Sequence, residues 1–289
     1  MRLFRNFFGK ISGNGFTLLE IIVVVAIISL MVGILVPIVY RVWESQEIDT
    51  TTDRLTMLKE AMIGNPSQIS NGVRTNFGFV GDLGQLPPDL DALISYGTFG
   101  PYLSGGVDPQ SFKQDAWGNN FVYTFTIDAF DRRDSAIIKS FGSDNAPGGT
   151  GTAADIQISI DPNEVLPVSS FSCNLLVRYA TPPSSTFNAN ITVHIIYKNG
   201  DGSDTEQTFT SQVTIMGNVG SPVNNYTFGL PATTLAKKLP VGISTVQAYI
   251  DRDSSGTLLP TPVAGSPVYV VVNDRASTLY VNNLSISVP

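Results

Sequence analysis

The stretch GFTLLEIIVVVAIISLMVGILVPIVY, from Gly15 to Tyr40, limits this chain more than any other. Wound as a helix at about 1.5 Å per residue, the segment 16–40 is roughly 37 Å long. That exceeds the ~30 Å hydrocarbon core of a bilayer, so the segment can span a membrane. A short basic leader with Arg2, Arg5 and Lys10 stands before it. A secretory signal peptide shares that order, but its apolar region runs to about 7–15 residues and ends at a small-residue cleavage site. Here the run is longer, no A-x-A pattern comes after it, and a Gly-Phe junction stands in front. The positive-inside rule keeps the basic leader cytoplasmic and exports the chain beyond the helix.

Glu20 is the one acid in this run. A carboxylate inside a spanning helix costs about 2.5–3.5 kcal/mol on insertion scales. Two readings stand. Either Glu20, one turn in, sits at the headgroup boundary, or a positive group pairs with it, because a buried charge is tolerated when paired. Cleavage after Gly15 would create such a group, the amine of Phe16, four residues away in the same chain or in a neighbouring copy.

These residues resemble the N-terminus of type IV pilins and of the pseudopilins of type II secretion. The match runs through the basic leader, then Gly15, Phe16, Thr17, Leu18, Leu19 and Glu20, then the apolar run broken by Pro37. The resemblance implies that a prepilin peptidase removes residues 1–15 and that Phe16 is N-methylated. It implies that Glu20 pairs with the Phe16 amine of an adjacent subunit during assembly, and that Pro37 is the family's helix-kinking proline. A proline inside a helix removes one hydrogen bond and crowds the preceding turn, in agreement.

Composition narrows the rest. Charged residues make up 14% of the 289, against a usual share of about 25%, and 26 Gly with 18 Pro predict many turns. Loss of three leader cations would leave 14 basic side chains against 24 acidic, a net charge of about −10. An acidic body argues against nucleic acid as a partner. Cys173, the single cysteine, forms no intrachain disulfide and reads as a small buried hydrophobe. The motifs G-x-S-x-G and H-E-x-x-H, a phosphate loop and a second histidine are all missing, and nothing selects a carboxylate pair, so the chain reads as no enzyme.

Beyond Tyr40 the helix continues to residue 64, with Ile48, Leu55, Leu58 and Met62 on one stripe and Gly64-Asn65-Pro66 as its stop. Residues 65–161 read as a small α+β head. GFVGDLGQLPPDLDALI is expected to be a loop leading into a short helix. Phe121, Tyr123 and Phe125 alternate along a strand, and Ser135–Phe141 gives another. Residues 162–167, with two prolines, read as a linker. Residues 168–289 then break into short apolar strands: FSCNLLVRY, ANITVHIIYKNG, TEQTFTSQVTIM, ISTVQAYID, SPVYVVVND and STLYVNNLSI. About seven strands in this length predict a β-sandwich, immunoglobulin-like or transthyretin-like. The fold class is therefore α+β, a long N-terminal helix on a small head followed by an all-β sandwich.

The head resembles the major pseudopilin of type II secretion, which carries a D-x-W-G-N-x-aromatic segment. Asp115, Trp117, Gly118, Asn119 and Phe121 match it. The family then has a glycine-rich acidic loop that binds calcium, matched by SFGSDNAPGGTGTAADI from Ser140 to Ile156. By position the resemblance implies Asp144 and Asp155 as carboxylate ligands and the Phe141 carbonyl as a third. No acid lies between the two aspartates, where family members usually have one.

Three further features read as structure. Alternation puts His194 opposite Ile191, Val193, Ile195 and Tyr197, on a solvated face. Asp251-Arg252-Asp253-Ser254-Ser255-Gly256 opens like a calcium loop, but Pro262 stands where glutamate is required, so a polar turn is expected. Asn199-Gly200-Asp201-Gly202 is likewise a turn.

The resemblance implies a structural subunit of a pseudopilus or pilus-like filament, homo- or hetero-oligomeric. Its partners would be the prepilin peptidase, an inner-membrane assembly platform and the lipid bilayer. It would be a single-pass inner-membrane protein with a cytoplasmic N-terminus and its bulk periplasmic or extracellular. The alternative is a membrane-anchored or filament-displayed binding module whose sandwich recognises a protein or glycan.

Overall fold

A computed structural model of the chain describes residues 17–103, 111–217 and 224–289. The chain divides into two compact units, one ending at Asp49 and one running from Thr50 to Pro289. Helix α1, Leu18–Ile63, belongs to both. Its first part exposes its apolar side chains on every side, from Leu18 through Trp43. Such an all-round apolar helix finds its partners in lipid or in other helices. It is the one helix among the described residues long and apolar enough to cross a membrane. Pro37 lies inside it without ending it.

Within the second unit the stripe becomes real packing. Leu55, Leu58 and Met62 are buried, joined by Thr51, Ala61 and Ile63; Ile48, the first residue of the stripe, belongs to the first unit. The helix stops as its chemistry predicts: Gly64 adopts φ +78° and its N–H returns to the Glu60 carbonyl at 2.8 Å. A two-residue hairpin follows, β1 at Ile69–Ser70 and β2 at Val73–Arg74. Helix α2, Gly78–Leu83, comes next. The expected loop-then-helix order is therefore reversed. Phe79, Val80 and Leu83 gain enough burial to hold a helix through two glycines, while the double-proline stretch leads only to a short 3-10 turn at Asp91–Leu93.

The head sheet is antiparallel with order β3 (Val122–Ile127), β4 (Arg133–Ser140), β5 (Ile156–Ile160). Ala136, Ile138 and Ile160 from its inner face close over Leu55, Leu58 and Met62 of α1 in one core.

Residues 162–167 are no free linker. Pro162–Val165 form helix α3, whose Glu164 carboxylate accepts the Asp161 N–H at 2.9 Å and pairs with Lys59 of α1 at 2.8 Å. Proline at a helix start lacks a donor that would be unused there, so it opens the helix at little cost. Val165 and Leu166 are fully buried in the head core.

The sandwich has eight strands among the described residues: β6 (Val168–Tyr179), β7 (Phe187–Lys198), β8 (Asp204–Ile215), β9 (Asn225–Leu239), β10 (Gly242–Arg252), β11 (Leu258–Ala264), β12 (Val268–Val272) and β13 (Thr278–Val288). One sheet has order β13-β6-β9, with β6 and β13 parallel. The other has order β11-β10-β7-β8, and β12 continues β11 along the same side of β10. Inward residues alternate as a half-buried sheet requires: Phe171, Cys173, Leu175 and Val177 of β6 meet Ile191, Val193, Ile195 and Tyr197 of β7.

The sandwich is joined to the head through its core. Val241, between β9 and β10, is fully buried in the head cluster, and its N–H donates to the Val165 carbonyl at 3.0 Å. Gln85 Nε2 donates to the Gly200 carbonyl at 2.6 Å, and Arg132 Nη1 to the Lys238 carbonyl at 2.8 Å. Gly84 permits the approach, since a Cβ there would lie 2.4 Å from the Lys198 carbonyl oxygen.

Candidate functional site

Gly15 and Phe16, with the leader's Arg2, Arg5 and Lys10, lie outside the described residues. Glu20 is described, and Thr17 serves it. The Thr17 N–H and hydroxyl both donate to Glu20 Oε2, at 2.9 and 3.0 Å, and the Glu20 N–H returns to the Thr17 hydroxyl at 3.2 Å. This is a reciprocal cap of the S/T-x-x-E kind. It satisfies part of the carboxylate within the chain, a role that the T-L-L-E spacing signals and that Glu20 taken alone does not. Pro37 brings no N–H, so the carbonyl of Gly33 loses its helical donor.

The D-x-W-G-N segment proves to be a bracket around one buried carboxylate. Asp115 is 1% exposed; its Oδ1 accepts the Trp117 and Asn119 N–H groups at 3.0 and 2.8 Å, and its Oδ2 accepts the Ser140 hydroxyl at 2.6 Å. Ser140 Oγ in turn accepts the Gly142 N–H, and Asn119 Nδ2 donates to the Gly142 carbonyl at 2.8 Å. Helix α1 secures the other side: Arg54 donates to the carbonyls of Gln114 and Asp115, and Thr51 Oγ1 accepts the Ala116 N–H. The motif residues thus clamp the first glycine of the loop to the helix. Ser140, Arg54 and Thr51 carry no local signature, because their partners lie far away in sequence.

In the loop itself, Phe141 precedes a 3-10 turn over Gly142–Asp144, and a second spans Gly151–Ala153. Asp144 Oδ1 accepts the Ala146 N–H at 3.1 Å. Asp155 Oδ1 accepts the Gly148 N–H at 3.0 Å, and Asp155 Oδ2 stands 3.7 Å from Lys139 Nζ. Calcium takes about six to eight oxygens and favours several carboxylates. The loop offers two, each already engaged and one beside an ammonium. Among the described residues no three Asp, Glu, His or Cys side chains gather at one point. This donor set fits calcium poorly.

The other sequence candidates resolve as structure. His194 pairs with Glu206 at 2.9 Å and packs on Tyr249, ring centroids 4.6 Å apart, on the outer sheet face. Asp253 Oδ1 accepts the Ser255 and Thr257 N–H groups at 2.9 Å, and both oxygens of Asp251 are taken by Asn190. Cys173 is buried and free, and its burial pushes the thiol up to about 11. The turn at Asn199–Gly202 is more than a turn: its Gly200 N–H donates to the Leu83 carbonyl, seating the sandwich on α2.

The chain matches no curated protein and no solved structure. Residues 80–159, spanning most of α2, the Asp115 bracket and most of the head sheet, match the family model for type II secretion system (T2SS), protein G, so this part of the chain is similar to that family.

Proposed function

We propose that the chain is a structural subunit of a type II secretion pseudopilus or a closely related pilus-like filament. The observation that carries this reading is the protein G match over 80–159, placed directly behind a helix whose apolar side chains are exposed from Leu18 through Trp43. In this reading prepilin peptidase cuts between Gly15 and Phe16, Phe16 is N-methylated, and the helix holds the subunit in the inner membrane with its bulk on the periplasmic side. An assembly platform then draws subunits into the filament. The Phe16 amine and Glu20 neutralise each other between neighbours, since a carboxylate among packed apolar helices needs a cation. The Thr17 cap supplies hydrogen bonds but no charge, so it leaves that requirement open. The family is structural, and the head's buried polar groups serve the fold.

Intact mass of the protein from its membrane or filament fraction tests processing; loss of residues 1–15 with one added methyl is expected. Glu20→Ala is expected to remain processed and membrane-bound while disappearing from the sheared filament fraction. An uncut chain, or wild-type levels of E20A in filaments, would overturn the reading.

A further inference from the structure

The glycine-rich loop of the head has a cation beside it. Lys139 lies near the end of β4, just before the loop, and its Nζ is 3.7 Å from Asp155 Oδ2 and 5.8 Å from the centroid of the Phe141 ring. Asp155 is one of the two carboxylates the family resemblance nominates as metal ligands, and Phe141, nominated for its carbonyl, presents its ring to the same ammonium. We propose that the Lys139 ammonium takes the place of the divalent ion in this loop, and that the loop closes without calcium.

Two observations carry this independently. The first is charge: with only two carboxylates in the loop, an ammonium beside one of them supplies the local positive charge and repels a second cation from the same oxygen. The second is closure. The two limbs of the loop lie backbone against backbone. At Gly142, φ +68°, a Cβ would sit 2.5 Å from the Thr152 carbonyl oxygen, and at Gly149, φ +82°, 2.2 Å from that of Ala153. Gly148 N–H to Asp155 and Ser143 Oγ to Thr152 Oγ1 tie the limbs directly. The Asp115–Ser140–Gly142 bracket fixes the base. Limbs that touch and bond directly do not depend on a bridging ion.

The test is hydrogen exchange with mass-spectrometric readout on the full chain in detergent micelles, following peptides that cover 142–155. Exchange of the wild-type loop is expected to agree within about twofold between excess EDTA and millimolar calcium. Lys139→Gln should raise it about threefold in EDTA, the scale of a partly exposed ion pair, and Lys139→Arg should keep it slow. Protection of the K139Q loop by calcium would also support the proposal, showing that the lysine excludes the ion. Severalfold protection of the wild-type loop by calcium would overturn it. So would unchanged exchange in K139Q, or exchange in K139R as fast as in K139Q.

Discussion

Asp115 and Ser140 show how much of the head rests on single atoms. Both are buried, and the Ser140 hydroxyl both donates to the Asp115 carboxylate and accepts the Gly142 N–H. Ser140→Ala would strand an acceptor and a donor at once. Each buried polar group left unpaired costs about 1–3 kcal/mol, so we expect the denaturant midpoint to fall by a comparable loss with an unchanged slope. Asp128 gives a pH-dependent counterpart. Burial raises its carboxyl, but bonds from the backbone and guanidinium of Arg132 and from the Phe130 N–H outweigh this and hold it below the ordinary carboxylate range. A carboxyl depressed in the folded state contributes stability above its unfolded value of about 3.9, lost as pH falls through the folded one. Arg132 also donates to the Lys238 carbonyl, so the loss should weaken the seat of the sandwich. Thermal melts of wild type and Asp128→Asn are expected to differ most at pH 6 and to draw together as pH falls below about 3.9.

Among the elements, those with a regular period were legible and those made by contact were not. The apolar run, the Leu55–Leu58–Met62 stripe and the Gly64 stop are local chemistry, and they predict α1 through Ile63. Alternation likewise predicts β7, with His194 outside. Strands β9 and β11 escaped because Gly229 and Pro231 lie in one, and Pro260 and Pro262 in the other. Both are edge strands, where a missing N–H donor faces no neighbour, so proline is tolerated there. The segment 162–167 misled through its prolines: Pro162 opens a helix, and Leu166 finds a buried site only once the head has formed. We therefore expect Leu166→Ala, in a stretch that reads as linker, to cost about 2–5 kcal/mol, the range for a leucine truncated in a core. A melting temperature within a degree of wild type would show that α3 is held only loosely.

At the scale of the whole second unit, the question is whether the sandwich is a passenger or part of the fold. A passenger domain would meet the head through a polar, separable interface. Here Val241 and Val271 come from the sandwich but pack in the head core, and the carbonyls of Leu83 and Val165 receive their donors from Gly200 and Val241. Cutting the chain at residue 167 would take Val241 and Val271 out of the head core and leave those carbonyls without their donors. The sandwich is also anchored through contacts of different character, Arg132 by hydrogen bond and Arg74 by an ion pair with Asp274 at 3.8 Å, so neither low nor high salt alone should release it. Calorimetry of the full chain in detergent is therefore expected to show head and sandwich melting in one transition, with calorimetric and van't Hoff enthalpies equal for that step. Val241→Ser should lower that single melting temperature without splitting it, because the lost contact is shared by both parts. Two resolved transitions, or a variant that melts only the head, would mean that the sandwich folds by itself and that the filament subunit carries it as a separable module. One transition would mean that any partner touching the sandwich presses directly on the head, through Gly200 and Val241, and so on the bracket that holds the head to its helix.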